Sequence, residues 1–287
     1  RVDSDGTIDT IAGVPGDDDY DPADDGSPAD TVPLGEPSGI AVGADGTVYV
    51  TLPVHHVVRA VRPDGTIDTI AGTGTLAGSA SDGGQADETE IFNPTGIDVA
   101  PDGAVIFSER NGNRIRRVDR DSGIITTLIG TGQFGYNGDG PALEVNLTYP
   151  AAIAFDHDDN LFIADTQAHR VRHYDPRTGT VTTIAGFWTH EDDAREQPLV
   201  ARNLVVLSGD SIGIDFSDDR GWLRPECSDK VDMSHYLDDG RPAMEAKLYD
   251  IVGITVDGHG AVYIVDKGSN RVRKIDRSSG VISTVAG

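Results

Sequence analysis

One segment grammar recurs along this chain, and recurrence at a near-constant period limits the architecture more tightly than any single residue can. Residues 37–72, 94–130, 150–186 and 251–287 align with one another. Each opens on a short apolar strand and enters an Asp/Gly turn, such as Ala44-Asp45-Gly46 or Pro101-Asp102-Gly103. A second apolar strand follows, as in Leu161-Phe162-Ile163-Ala164, and then a third, alternating strand that ends in Asp, as in Arg114 to Asp119 and Arg271 to Asp276. After a Gly turn comes a fourth strand, of which Val181 to Gly186 is typical. Four antiparallel strands in roughly 57 residues make a propeller blade with a long connection to the next.

Two partial copies extend the pattern. Residues 1–13 read as the end of a third strand and a fourth strand, and residues 211–236 as a degenerate blade whose Gly213-Ile214-Asp215-Phe216 matches Gly96-Ile97-Asp98-Val99. The first-strand isoleucines fall at 40, 97, 153, 214 and 254, so the spacing runs 57, 56, 61 and then only 40. The expectation is a single all-β propeller domain, nominally six blades of four antiparallel strands, with five as the alternative. Its first blade is incomplete, and the chain opens on Arg1 with no initiator Met and no leader pattern, so we expect further strands upstream.

These blocks carry a resemblance. Pro-x-Gly-Ile-x-Val-x-x-Asp-Gly, then Leu161 through Arg172, then Thr180 through Gly186, resemble the NHL repeat. The connection Gly135-Tyr136-Asn137-Gly138-Asp139-Gly140-Pro141-Ala142 is similar to the linkers between NHL blades of bacterial and teneurin-like proteins, and Asp239-Gly240-Arg241-Pro242-Ala243 matches it. The resemblance implies a propeller fold and leaves activity open, because NHL propellers serve as interaction platforms, as sensor domains and in some cases as lyases or hydrolases.

Charge narrows the partners. The chain carries 48 acidic against 23 basic residues, a formal net charge of −25, and Asp outnumbers Glu 39 to 9. Such a field repels phosphate backbones, which excludes nucleic acid. No apolar run approaches the ~20 residues that span a bilayer, so membrane insertion is excluded as well. Cys227 is the sole cysteine, which removes disulfide frameworks and cysteine-based zinc sites. An Asp-rich, Lys-poor surface suits high ionic strength, where screening shortens to ~3 Å at ~1 M salt. We therefore expect an extracellular, cell-surface or periplasmic protein of a high-salt or marine organism.

The second strands end in Glu109, Asp165 and Asp266, each followed five residues later by Arg114, Arg170 or Arg271. In residues 37–72 the same positions hold Leu52 and Val57, and the joint loss predicts ion pairs across the turn. His56, Asn113, His169 and Asn270 share one repeat position there and read as polar groups that fix the turn. Much of the acidity lies in the connections 14–36, 73–93, 131–149 and 187–210; the first carries eight acidic residues and no Lys or Arg. That run does not fit an EF-hand, because Val32 stands where the loop needs Glu.

Three groups of residues carry candidate chemistry. Asp98 and Asp215 follow first-strand isoleucines where other blades have Ala41, Ala154 and Thr255, and would bind Ca2+, Mg2+ or a polar ligand if they face the axis. Ser211 in Gly209-Asp210-Ser211, with Asp232 and His235, has the residue types that acyl transfer needs, but the two blocks lie only about 20 residues apart. The eight histidines show no metal-ligand spacing, and the Gly-x-Gly pairs open no helix. The reading is a rigid binding or interaction platform for a protein or a small polar or cationic ligand, using the acidic loop face and the channel mouth. The alternatives are a metal-assisted hydrolase, lactonase or lyase at that mouth, and a structural ectodomain segment of a larger surface protein.

Overall fold

The alternation of short apolar strands with Asp/Gly turns yields antiparallel sheets. The computed structural model describes residues 1, 6–16, 20–75, 81–187, 204–206, 212–214 and 239–287. The chain divides into two units, Arg1–Phe187 with Asp238–Gly287, and Trp188–Leu237. The first unit contains four sheets of sequential strands, each strand hydrogen-bonded to the next. They are β1 to β4 (Ile40–Val42, Val48–Leu52, Val57–Val61, Ile67–Ala71) and β5 to β8 (Pro94–Val99, Val105–Glu109, Arg114–Val118, Ile125–Ile129). The third is β10 to β13 (Pro150–Phe155, Leu161–Asp165, Arg170–Asp175, Thr180–Ala185), with β9 (Gly140–Pro141) added beside β13. The fourth is β16 to β19 (Ile251–Val256, Val262–Asp266, Arg271–Ile275, Ile282–Ala286). In the second unit, β14 (Leu204–Val206) pairs antiparallel with β15 (Ile212–Ile214). The fold is an all-β propeller.

Asp shapes the turns. Its short side chain reaches the backbone N–H two residues on, which Glu does less readily. Asp45 Oδ1 accepts from Thr47 N–H at 3.0 Å, Asp102 from Ala104 at 3.1 Å, and Asp257 from His259 at 2.9 Å. The third-to-fourth-strand turns repeat the device, with Asp276 accepting from Ser278 and Ser279 at 3.1 and 2.9 Å. Part of the Asp-over-Glu bias therefore belongs to local backbone chemistry.

Neighbouring sheets bury one face each on the next. Ala41, Val58 and Ala71 meet Ile97, Phe107 and Ile125 between the first and second sheets. Ile106, Ile115 and Ile129 meet Ile153, Ile163 and Val181 between the second and third. Phe162, Ala164 and Val171 meet Ile251, Ile264 and Ile275 between the third and fourth.

Each sheet ends in a glycine with positive φ, and close packing explains why. A Cβ on Gly72 would sit 2.1 Å from the His56 carbonyl oxygen, and one on Gly186 2.1 Å from that of His169. The N–H groups of Gly72, Gly130 and Gly186 donate to the carbonyls of Ala86, Ala142 and Ala243 in the connections that follow. Gly13 does the same to Ala29, so residue 13 ends its segment as the complete sheets end theirs.

The bond from Gly186 bears on the expected order of blades. The sequence reading puts a degenerate blade, 211–236, between the sheets of 150–186 and 251–287. In the structure those sheets pack directly on one another, and Gly186 reaches Ala243 in the linker 239–248. The third and fourth sheets are therefore direct neighbours, and β15 takes β14 upstream as its partner, where the repeat would supply a linker. Residues 215–238 lie outside the described residues.

Candidate functional site

Two devices recur from sheet to sheet and fix the inner strands. The first is a hydroxyl relay. Thr51 Oγ1 accepts from Gly39 N–H at 2.8 Å and donates to the Thr95 carbonyl on the next sheet at 2.7 Å. Ser108 Oγ accepts from Gly96 N–H at 2.8 Å and donates to the Ala151 carbonyl at 2.9 Å. In the third sheet Ala164 stands at the position of Thr51 and Ser108, and Thr166 donates instead to the Ile251 carbonyl at 2.7 Å. The inner strands approach so closely that a Cβ on Gly39 would lie 2.2 Å from the Thr95 oxygen, and one on Gly96 2.5 Å from the Ala151 oxygen. This is the physical content of the Pro-x-Gly-Ile motif.

The second device is a buried arginine in every third strand. Arg59, Arg116, Arg172 and Arg273 are fully buried. Each donates through Nη2 to an aspartate of the preceding connection: Asp25 at 2.8 Å, Asp82 at 3.0 Å, Asp139 at 3.4 Å and Asp239 at 3.0 Å. Those aspartates also accept from Thr69, Thr127, Thr183 and Thr284 on the fourth strands. In three sheets Nη1 faces a second acid, Glu109 at 3.1 Å, Asp165 at 3.4 Å and Asp266 at 3.8 Å. The acid's other oxygen accepts a backbone N–H from the end of the connection, at Phe92, Thr148 or Tyr249. Connection, third strand and inner-strand entry are tied into one chain of charge-assisted bonds. Burial raises the Asp165 carboxyl to about 6, with the Thr148 N–H and Arg172 opposing the shift; Asp266 is raised for the same first reason.

The observed partners lie two residues beyond the predicted ones, on the same strand. The acids face Arg114, Arg170 and Arg271 across the turn as Cα partners, yet they bond the arginine two residues further on. Arg114 instead donates to the Thr131 carbonyl at 3.2 Å, and Arg170 lies 3.9 Å over the Tyr136 ring. Burial decides between the two, since only the deeper arginine needs a buried counter-charge.

Above the relay lies a cavity of about 380 Å³, lined by inner-strand residues of all four sheets. Its rim is built by another repeated geometry. Asn93, Tyr149 and Asp250 precede the inner strands with φ of 56°, 50° and 52°. His56 Nδ1 accepts from Asn93 N–H at 3.0 Å and Asn113 Oδ1 from Tyr149 N–H at 3.1 Å, so the turn-fixing residues also set the rim. The position just after the second strand holds Pro53, Arg110, Thr166 and Lys267 in the four sheets. Arg110 and Lys267 donate their backbone N–H to the carbonyls of Asn93 and Asp250, and both line the cavity. Lys267 Nζ lies 3.2 Å from Asp250. The Arg110 guanidinium lies 5.9 Å from the Tyr149 ring centre, and its Nε is buried with no hydrogen-bond partner among the described residues.

Asp98 is placed between sheets. Its Oδ1 accepts from Val99 N–H at 2.8 Å and its Oδ2 from Phe155 N–H of the next sheet at 2.9 Å. Burial raises its pKa, and it is not among the residues lining the cavity. Asp215, Ser211, Asp232 and His235 lie outside the described residues. Among the described residues, no three His, Cys, Asp or Glu side chains gather at metal-binding distance. Sequence reasoning missed the rim cations because four different residue types occupy that one loop position.

No protein-family model matches the chain. It is 28% identical over 166 residues to Protein SUPPRESSOR OF QUENCHING 1, chloroplastic, of Arabidopsis thaliana, covering 55% of this chain and 16% of that protein. It is 26% identical over 286 residues to Teneurin-m of Drosophila melanogaster, covering 80% and 10%, and 25% identical over 251 residues to Teneurin-1 of Homo sapiens, covering 74% and 9%. The chain thus spans between about a tenth and a sixth of the length of these relatives. Among solved structures, an auxiliary nutrient binding protein from Bacteroides ovatus is similar with a TM-score of 0.50 at 21% identity, covering 87% of this chain and 48% of that one. A Bacteroides thetaiotaomicron protein of unknown function gives a TM-score of 0.52 at 17% identity, covering 83% and 46%. Sheets, teneurin similarity and structural likeness agree on the fold: the chain is a β-propeller.

Proposed function

We propose that this chain is a ligand-binding module, an NHL-type propeller that receives a small polar ligand at the mouth of its inner-strand collar. The observation that carries the reading is the cavity of about 380 Å³, whose wall takes residues from all four sheets and whose backbone is locked by the hydroxyl relay. That volume lies within the range of small-molecule sites. A wall fixed before binding costs little ordering when the ligand arrives. The linker acids fit a smaller part in binding than their number suggests, since Asp25, Asp82, Asp139 and Asp239 are spent on buried arginines. The remaining acidic surface suits high ionic strength, and we place the domain outside the cytoplasm or at a cell surface. No helix among the described residues is long and apolar enough to cross a membrane.

The test is a small-molecule screen by thermal shift on the whole chain, repeated on Ser38→Phe. Ser38 is exposed and lines the cavity, so the added ring obstructs the mouth without entering a core. Binding here predicts compounds that stabilise the parent chain and lose that effect in Ser38→Phe. Hits indifferent to the substitution would move the site elsewhere.

A further inference from the structure

We propose that the ligand of the channel mouth is a small monocarboxylate, anchored by Arg110 and held in reach of Lys267. This rests on the binding-module reading and adds the ligand's chemistry. Three charged side chains line the cavity, two cations and one anion. Asp250 is matched by Lys267 at 3.2 Å, which leaves the Arg110 charge in surplus. In a chain with 48 acidic residues, arginines are paired almost as a rule, and here Arg110 takes part in none of the ion pairs formed among the described residues. Its Nε is buried without a hydrogen-bond partner among the described residues, and its backbone N–H is already committed to the Asn93 carbonyl. An unsatisfied guanidinium edge in a partly desolvated rim costs free energy until an acceptor arrives. The planar fork prefers a carboxylate, which it can bind with two parallel bonds.

The rest of the wall sets the body of the ligand. The inner-strand carbonyls of Thr95 and Ala151 already accept from Thr51 and Ser108, which reduces their power to attract an ammonium group. Ile40 and Val252 expose apolar surface at the cavity, 68% and 38% accessible. A carboxylate head with a short apolar body satisfies both parts. The local surplus of one positive charge also selects against a dianion less than against a cation, so charge type is the sharpest discriminator. The net charge of −25 along the chain argues for a cationic ligand; the rim reverses that sign locally.

The experiment titrates the whole chain with butyrate, butyramide and butylamine, matched in size, by calorimetry and by NMR shifts of Arg side-chain N–H groups. Butyrate is expected to bind with the Arg110 Nε–H signal moving, and the amide and the amine to bind at least about tenfold more weakly. Arg110→Gln should lower butyrate affinity by about tenfold or more. Lys267→Gln, at an exposed side chain that serves as the control for folding, should lower it by less, and Arg110→Lys should recover part of the loss. Equal binding of butyramide, or butyrate affinity unchanged in Arg110→Gln, overturns the proposal. If butyrate fails while other compounds are blocked by Ser38→Phe, the carboxylate class falls and the binding module stands. If no compound binds at the mouth at all, both fall.

Discussion

The first sheet and the three that follow it solve the same electrostatic problem differently. In all four a third-strand arginine is fully buried and held by an aspartate from the preceding connection. In the later three an acid at the end of the second strand takes the other side of the guanidinium and draws in the connection's backbone. In the fourth sheet Asp266 faces Arg273 Nη1 at 3.8 Å, an ion pair without a hydrogen bond. In the first sheet the acid's position is Leu52, fully buried, and Arg59 Nη1 faces no acid among the described residues. Tyr20 compensates in part, with its ring centre 5.2 Å from the guanidinium and its hydroxyl 3.0 Å from Thr69. The difference separates two roles of one arginine. The outer aspartate fastens the connection to the sheet's edge, and the inner acid fastens it to the collar where the cavity opens.

The largest consequence follows from removing one partner of a fully buried pair. Arg172→Met strands Asp165, which is completely buried, and should destabilise by about 3–5 kcal/mol. Arg59→Met leaves no buried acid behind, only the partly exposed Asp25, and removes two unsatisfied donors. Its cost should be near zero, or the change should stabilise. Denaturant unfolding of the two variants side by side checks this; equal losses would mean that the inner acids add nothing that the outer aspartates do not.

A second contrast concerns the glycines that end each segment. Gly72 and Gly13 both have positive φ, 91° and 94°. A Cβ at 72 meets the His56 carbonyl at 2.1 Å, whereas one at 13 finds only the Leu34 side chain at 3.4 Å. Gly13→Ala should therefore cost about 1 kcal/mol of backbone strain, and Gly72→Ala about 3 kcal/mol or more, because backbone must also move. Thermal unfolding that ranks the two together would show that conformation, and not close approach, fixes these glycines.

Much of this fold is legible in the sequence, and the misses have physical causes. Period-2 strands and Asp/Gly turns mark the sheets because each strand buries at least one face and each turn needs an Asx acceptor or positive φ. Arg114 and Arg116 share one face of β7, so alternation cannot say which is buried; the persistence of Arg59 beside Leu52 was the available clue. Asp98 reads as a ligand only if it faces the axis, and alternation alone cannot show that its two carboxylate oxygens accept from the Val99 and Phe155 N–H groups. The match at 212–214 is real as a strand, and the packing of the third sheet on the fourth, with the bond from Gly186 to Ala243, shows that these two are neighbours. The rim cations escaped because a loop position with Pro53, Arg110, Thr166 and Lys267 leaves no pattern to find.

The inner acids of the third and fourth sheets, Asp165 and Asp266, also give the chain a pH signature. Burial raises Asp165 to about 6, while an unfolded aspartate titrates near 3.9. The native state therefore keeps its proton where the unfolded chain has lost it, and this group's contribution to stability falls as pH rises from about 4 to 6, then levels off. The turn aspartates have the opposite sign. Asp276, hydrogen-bonded by Ser278 and Ser279, is lowered to about 2, so its contribution is present above about 4 and lost as pH falls towards 2. Carboxyl carbon NMR titration should resolve the two midpoints on either side of the ordinary aspartate value of about 3.9, and stability measured from pH 2 to 7 should show the two opposing slopes. Arg172→Met should push the Asp165 midpoint higher still by removing the charge that opposes burial. A midpoint for Asp165 below 4 in the parent chain would mean that Arg172 outweighs desolvation, and that the inner acid stabilises the sheet through charge as well as through its bond to the Thr148 backbone.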